Sequence, residues 1–572
     1  MIATVSLFLA AAIPQEVPHL RGAYRGPYLE VVADQKAAQK EGRIALADGW
    51  ERWEFWFEHE RDALFFGPAE VESSALLPGG GYSRQPGALD RKEVEKRAVP
   101  VLMHAAGSSD PEIREAVVLS LGRIGDPRAF AVLEEGMGDA DGAVAQAATL
   151  GMGMLGNDPA LSVLGERFSE RHRSGVERGL LAVALGLTGR PEATDLVKNY
   201  LERNLEPDRL IGEDEDALLG AIWAAGLLRS RRLVPVLLDG ALRLESFAAA
   251  SSRRARSLIL HSLGACGDSL ARPYLVEQLF STDPEIARAA AQGLGRLGDR
   301  GALGALALRL EDAGDIDTRI FAMLAVGRLG GPSAQALLEK HAESAGRHRQ
   351  LQSAWALAVG LAQAGELGGE LRDRLVARAG REFKGKSRRD EERLRGAFAL
   401  GAGFFGDRRA VQELISCLAD EGVDPDFAGY VAVALGMLGG DDATATLTTA
   451  AREGLQQADF QRGLVTGLAL CRDQAATVAL VDILLGTKDH QVRWSAAHAL
   501  GLVRSSDAFA RVLAALEDGA RSEVRDTPER TAHLILALGR LGDSHKGEAL
   551  GSLLAGLNYR QEFPLMTSLS AY

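Results

Sequence analysis

A chain of 572 residues with 78 Asp and Glu against 65 Lys and Arg carries a formal net charge of −13 at pH 7. That balance argues against a nucleic-acid binder, because phosphate contacts need a basic footprint. Its 46% hydrophobic and 25% charged content belongs to a folded soluble protein, and the prevalence of Ala, Leu, Arg and Glu over β-branched runs favours helix.

Residues 1–13, MIATVSLFLAAAI, open the chain with a nearly continuous apolar run in which Ala10-x-Ala12 is a small-residue cleavage pattern. The run is too short to span a bilayer. It suits the apolar region of a secretory signal, although no basic leader precedes it. The expectation is an exported protein, periplasmic or extracellular, with the cytoplasm as the alternative.

Residues 14–74 contain GWERWEFWFEHERDAL (49–64), which gathers three of the chain's six tryptophans. Asp48 and Glu51 fit a capping box that starts a helix. Trp50, Trp53 and Phe57 then share one stripe, with Trp56 adjoining it, while Glu51, Glu54 and Glu58 face away. Such a helix reads as an aromatic cap over the first unit of a stacked array, or else as an aromatic ligand box. Residues 75–91, rich in Gly and Pro, read as a linker.

From residue 92 to 556 one phrase recurs, as in SLGRIGDPRA, GLGRLGDRGA and ALGRLGDSHK. Its first glycine, taken as reference, falls at positions 122, 153, 186, 226, 264, 295, 327, 360, 403, 436, 469, 501 and 539, with Ala469 the one exception to glycine. Thirteen units of helix–turn–helix follow. Asp110 as N-cap, Pro111 at the first helical position and Gly125 as a left-handed C-cap bound the first helix of unit one. One residue before the reference, all thirteen positions are apolar; two before, all are Gly, Ala or Ser. Twelve helix-interior glycines would cost roughly 12 kcal/mol in total relative to alanine, comparable to the net stability of a whole domain. Close approach of neighbouring units at this side-chain-free surface is the compensation expected. A pair of helices cannot bury its apolar face alone, so the units stack into an all-α, right-handed α/α superhelix of about 13 helix pairs, a curved rod with two raw apolar ends. The aromatic cap serves one end and residues 557–572 the other.

The phrases DPEIREAVVLSLGRIGDPRA and ALGRLGD resemble the short HEAT-like repeat of the phycobilisome-lyase type, over residues 92–556. WEFWF looks like a segment at the head of some exported bacterial HEAT-repeat proteins. The resemblance implies a HEAT-like solenoid and an inter-repeat ladder that pairs a turn aspartate with an arginine four residues on. Asp110/Arg114, Asp315/Arg319 and Asp489/Arg493 match it, whereas unit six has Ala287 there and Arg288 one later.

In the family pattern the residue three before the reference is polar and faces outward on the concave side. Here that column is apolar in nine of thirteen units. Facing solvent, it would be a greasy binding groove; rotated inward, it is core. Trp223, His261, Leu324, Leu357, Leu400 and His498 are its candidate partner-binding residues, with Trp494 one turn before His498. Four stretched units carry charged insertions, acidic at 204–217, basic or mixed at 244–257 and 381–396, and mixed at 518–531; they would be solvated loops, or the Lys/Arg-rich pair at 244–257 and 381–396 would meet an acidic partner.

No GxSxG, HExxH or P-loop occurs. Three cysteines, Cys266, Cys417 and Cys471, form no CxxC pair and fit neither a disulfide framework nor a zinc site. They are expected as small buried apolar residues. HEAT-type deoxyhypusine hydroxylases hold two irons with several His-Glu dipeptides, and this chain has one, His59-Glu60. The reading is a non-catalytic scaffold for a protein or peptide on the concave face, with no catalytic residue, metal or cofactor, no nucleic acid and no membrane span. The alternative is bilin-lyase-like or chaperone-lyase activity on a chromophore-bearing protein.

Overall fold

The computed structural model describes Phe57 and residues 89–544, apart from residues 171 and 248 and the stretches 211–213, 313–315, 363–368, 381–387, 420–422, 454–456 and 522–526. The signal-like segment 1–13, the tail 557–572, and all of the aromatic cap but Phe57 lie outside the described residues, as does most of the linker.

Twenty-six α-helices run in order among the described residues. The even-numbered ones form an inner layer: α2 (Pro111–Ile124), α4 (Gly142–Leu155), α6 (Gly175–Leu187), α8 (Asp214–Leu228), α10 (Ala250–Cys266), α12 (Pro284–Leu297), α14 (Ile316–Leu329), α16 (Arg349–Leu361), α18 (Arg388–Phe405), α20 (Pro425–Leu438), α22 (Ala458–Cys471), α24 (His490–Ala499) and α26 (Pro528–Leu541). The odd-numbered ones form the outer layer: α1 (Arg91–Ala105), α3 (Phe130–Gly136), α5 (Asp158–Ser169), α7 (Pro191–Asn204), α9 (Val234–Leu244), α11 (Arg272–Leu279), α13 (Leu303–Glu311), α15 (Gly331–Ala345), α17 (Gly369–Ala379), α19 (Ala410–Leu418), α21 (Asp441–Glu453), α23 (Gln474–Gly486) and α25 (Ser506–Arg521).

Local sequence sets the helix ends as expected. The Asp110 carboxylate accepts from the Glu112 N–H, Pro111 follows it, and Gly125 closes α2 at φ 69°. Asp283, Pro284 and Gly298, at φ 71°, repeat the construction on α12. Glycine is required at these C-caps because the left-handed region crowds a Cβ.

Each inner helix packs against the next, and the last packs against the first. A Cβ on Gly122 of α2 would run into the backbone of Gly151 on α4, and one on Gly539 of α26 would collide with Ser120 of α2. The reference glycines at 122, 153, 186, 226, 264, 295, 327, 360, 403, 436 and 539 therefore face the following inner helix. This backbone-to-backbone approach recovers the cost of helical glycine through dispersion contacts that any side chain would hold apart.

The solenoid is thus a closed ring, and the expectation of an open rod with two raw ends is corrected. Arg123 on α2 pairs with Asp543 after α26 at 3.3 Å. The Ser544 N–H donates to the Arg123 carbonyl at 2.9 Å, and its hydroxyl donates to the Ile124 carbonyl at 2.7 Å. In the outer layer α1 fills the place between α25 and α3. The Leu89 N–H donates to the Arg504 carbonyl at 2.9 Å, Arg97 lies over the Phe509 ring of α25 at 5.7 Å, and Arg128 donates to the Glu95 carbonyl at 2.7 Å. The N-terminal helix so completes the outer layer beside the last inner helix.

Candidate functional site: the inward face of the ring

Orientation on an inner helix follows from 100° per residue. The reference glycine looks to the next unit, the residue two before it to the preceding unit, and the residue one before it to the outer layer. The remaining direction, toward the inside of the ring, is occupied by the residues three before and one after the reference.

The candidate column lies on that inward face and is buried. Trp223, His261, Leu324, Leu357, Leu400 and His498 are all buried, and Trp494 is half-buried. Exposure as a solvent-facing groove is therefore not what the ring shows; the column is core to the assembled ring. Trp494 stacks on His498 with centroids 5.1 Å apart and planes at 20°. His261 and His498, seven units apart along the chain, become nearly opposite one another once thirteen units close, since the other way round is six.

The one described residue of the expected cap lies away from the predicted place. Phe57 is only 1% exposed, but it does not cover the first unit. Its ring meets Phe404 edge-on at 6.4 Å and Tyr430 at 6.0 Å. Phe404 stands one after the reference on α18, and Tyr430 six before it on α20, so Phe57 sits against the inward side of units nine and ten. The closed ring explains this: unit one has no free end to cap.

Sequence reasoning missed Phe404 and Tyr430, and also the arginines one after the reference, Arg123, Arg296, Arg328 and Arg540. Arginine is the fourth letter of the recurring SLGRIGD phrase, so this column carries a signal of its own beside the small and apolar ones. Burial, reinforced by the Arg296 and Arg328 charges, holds the His261 pKa well below its ordinary value. Burial, with Asp268 adding to it, pushes the Cys266 thiol up to about 12. Cys417 is buried as well, and Cys471 partly so.

The basic insertion at 244–257 is largely the first turns of α10. Arg253 pairs with Asp283 at 2.9 Å, and Arg254 with Glu215. These cations serve neighbouring units of the chain itself. In the insertion at 381–396, residues 381–387 lie outside the described residues. The ladder also differs from the implied pairing. Asp110 caps its helix, while Arg114 makes a two-pronged contact at 2.8 Å with Asp139 of the following unit. Arg288, in the unit expected to break the ladder, donates to Asp317 of the next unit at 3.1 Å. Asp489 likewise caps α24, and Arg493 donates to the Thr487 carbonyl; Asp315 lies outside the described residues.

A separate cavity of about 840 Å³ opens among α15 to α19, lined by Gln352, Trp355, Arg374, Arg378, Phe398 and Arg409 among others. Trp355 is held there by donating to the Leu338 carbonyl at 2.8 Å, and Arg409 is clamped by Asp407. Among the described residues no three His, Cys, Asp or Glu side chains gather as a metal site, and no helix is long and apolar enough to cross a membrane.

Comparison with known proteins follows from this architecture. The family described as HEAT repeats matches residues 88–153, 243–320, 272–358 and 455–532. No curated protein matches the chain. Among solved structures, human deoxyhypusine hydroxylase in complex with glycerol is similar at 15% identity and a TM-score of 0.21, over 58% of this chain and 99% of that one.

Proposed function

The chain belongs to the HEAT-repeat proteins, and from that premise we propose that it is a non-catalytic scaffold holding a protein or peptide segment against the inward face of its ring. The observation that carries the reading is the seat of Phe57. This side chain precedes the repeats in sequence, yet it is buried against Phe404 and Tyr430 on two successive inner helices. An inward face that accepts an aromatic side chain from outside the repeats has the chemistry of a receptor for aromatic anchors. Edge-to-face aromatic pairs add directional preference to the apolar burial, and buried aromatic anchors dominate protein interfaces.

The test uses the full chain with Phe57→Ala and a fluorescent peptide of residues 49–64. Saturable binding of the peptide, abolished by a further Tyr430→Ala change, is the expected result. A peptide that ignores the Phe57→Ala chain, or that binds it equally well with Tyr430 removed, overturns the reading.

A further inference from the structure

We propose that the ring is self-occupied: the segment of the chain around Phe57, residues 49–66, fills the opening inside the inner helices, and an outside segment reaches the inward face only by displacing it. The displacement rests on the receptor reading above; the occupancy stands by itself.

Helices in close contact lie ~8 Å apart, so thirteen in a ring set their axes ~17 Å from its centre. With half a helix width of ~5 Å taken off, the opening is ~23 Å across. Left to water, such an opening would wet the residues that face it. None of the residues three before or one after the reference is exposed. Leu150, Leu187, Leu357, Leu361 and Phe404 are each 4% exposed or less. All twenty-six described α-helices belong to the two layers of the wall, and the inner ones pack on their inner neighbours and on the outer layer. The cover over the inward columns therefore comes from chain outside the wall.

Phe57 names that chain. It is the one described residue outside the wall, it has helical backbone, and it is buried on the inward side against Phe404 and Tyr430. Residues 49–66 supply three tryptophans and four phenylalanines, and each such side chain buries ~150–250 Å² when enclosed. Length permits the same placement. Leu89 joins the outer layer beside Arg504, and the 31 residues between Phe57 and Leu89 reach up to ~100 Å when extended, several times the radius of the opening. Residues 545–572 are the competing occupant.

The experiment places a protease site within residues 75–88 of the full chain, cuts there, and follows the N-terminal fragment by gel filtration. The fragment is expected to co-elute with the ring. Tyr430→Ala, at the Phe57 seat, should speed its dissociation by about 10-fold or more, as loss of an aromatic anchor does. Leu308→Ala, 62% exposed on the outer layer, should leave the dissociation unchanged. Excess peptide of residues 49–66 should displace the fragment. A fragment that leaves the ring on cutting overturns the proposal and assigns the opening to residues 545–572; retention that ignores Tyr430→Ala overturns it as well. Where Tyr430→Ala fails to fold, Phe57→Ala in the fragment makes the same measurement. A fragment that stays while added peptide never displaces it upholds the occupancy and sinks the receptor reading, so the two failures are told apart.

Discussion

The Ser120 hydroxyl donates a 2.9 Å hydrogen bond to the carbonyl of Ile535, across 415 positions of sequence. The same bond occurs inside the array, where Ser262 donates to the Ile222 carbonyl of the preceding unit at 2.8 Å. In both, a serine two before its reference glycine meets a carbonyl four before the neighbour's. The seam is therefore one more copy of the repeat interface.

Closure should fail when that copy is spoiled. Gly539→Leu places a side chain where Ser120 already stands, and overpacking of this kind costs about 1–3 kcal/mol. The variant is expected to keep its helical circular dichroism while its radius of gyration in solution scattering increases. A radius equal to that of the wild type would show that the seam does not depend on this contact.

The Phe57 contact predicts a local effect. Truncating a buried phenylalanine costs about 3–5 kcal/mol, and here the loss falls on the inward side of α18 and α20. Phe57→Ala should raise amide hydrogen exchange around Phe404 and Tyr430 while leaving α4 and α6 unchanged; Phe57→Leu should restore most of the protection. Uniform loss of protection over the whole ring would place Phe57 in the global core instead.

Much of this architecture was legible in the sequence. The period, the caps at Asp110 and Gly125 and the bald glycine columns are local, and each repeats many times. Closure was not read because it arises from a small rotation per unit summed over thirteen. A clue was nonetheless present: Ser120 and Gly539, at the two extremes, keep the small residues of interior units, which ends covered by other segments would not need. The inward column was read by its apolar character, but whether such a column is exposed depends on closure. His261 and His498 looked unrelated for the same reason, being far apart on a rod and facing positions on a ring. The site of Phe57 was beyond the sequence because its partners, Phe404 and Tyr430, occupy different positions within their repeats.

The contact between Arg114 and Asp139 predicts an acid-sensitive contribution. Its hydrogen bond with Arg114 holds the Asp139 carboxyl below the usual range. A depressed carboxylate contributes stability that is present above the unfolded value of about 4 and is lost as pH falls through the folded value. Arg114 also donates to the Ser108 carbonyl at 3.0 Å. Arg114→Gln should therefore cost about 1 kcal/mol or less at pH 7, and the gap to wild type should shrink by pH 3. Urea midpoints at the two pH values check this; a gap that is the same at both would remove Asp139 from the account.

Cys266 predicts the opposite limb. Its thiol is buried beside the Ala225 carbonyl, with Sγ 3.6 Å from the oxygen, and burial raises its pKa to about 12. Below the unfolded value of about 8.5, both folded and unfolded states keep the proton and the group is silent. Above it the unfolded chain releases the proton while the folded one retains it, so stability declines as pH rises from there toward the folded value. The wild type should accordingly lose more stability between pH 8 and pH 10 than Cys266→Ala, measured as the change in urea midpoint for each. The same burial predicts that iodoacetamide at pH 8 leaves Cys266 unmodified in the native ring and alkylates it in urea, read by peptide mass spectrometry. Equal alkylation in both states, or parallel pH profiles for the two chains, would mean that α8 and α10 part readily in solution and that the glycine-lined contact between inner helices is looser than the ring requires.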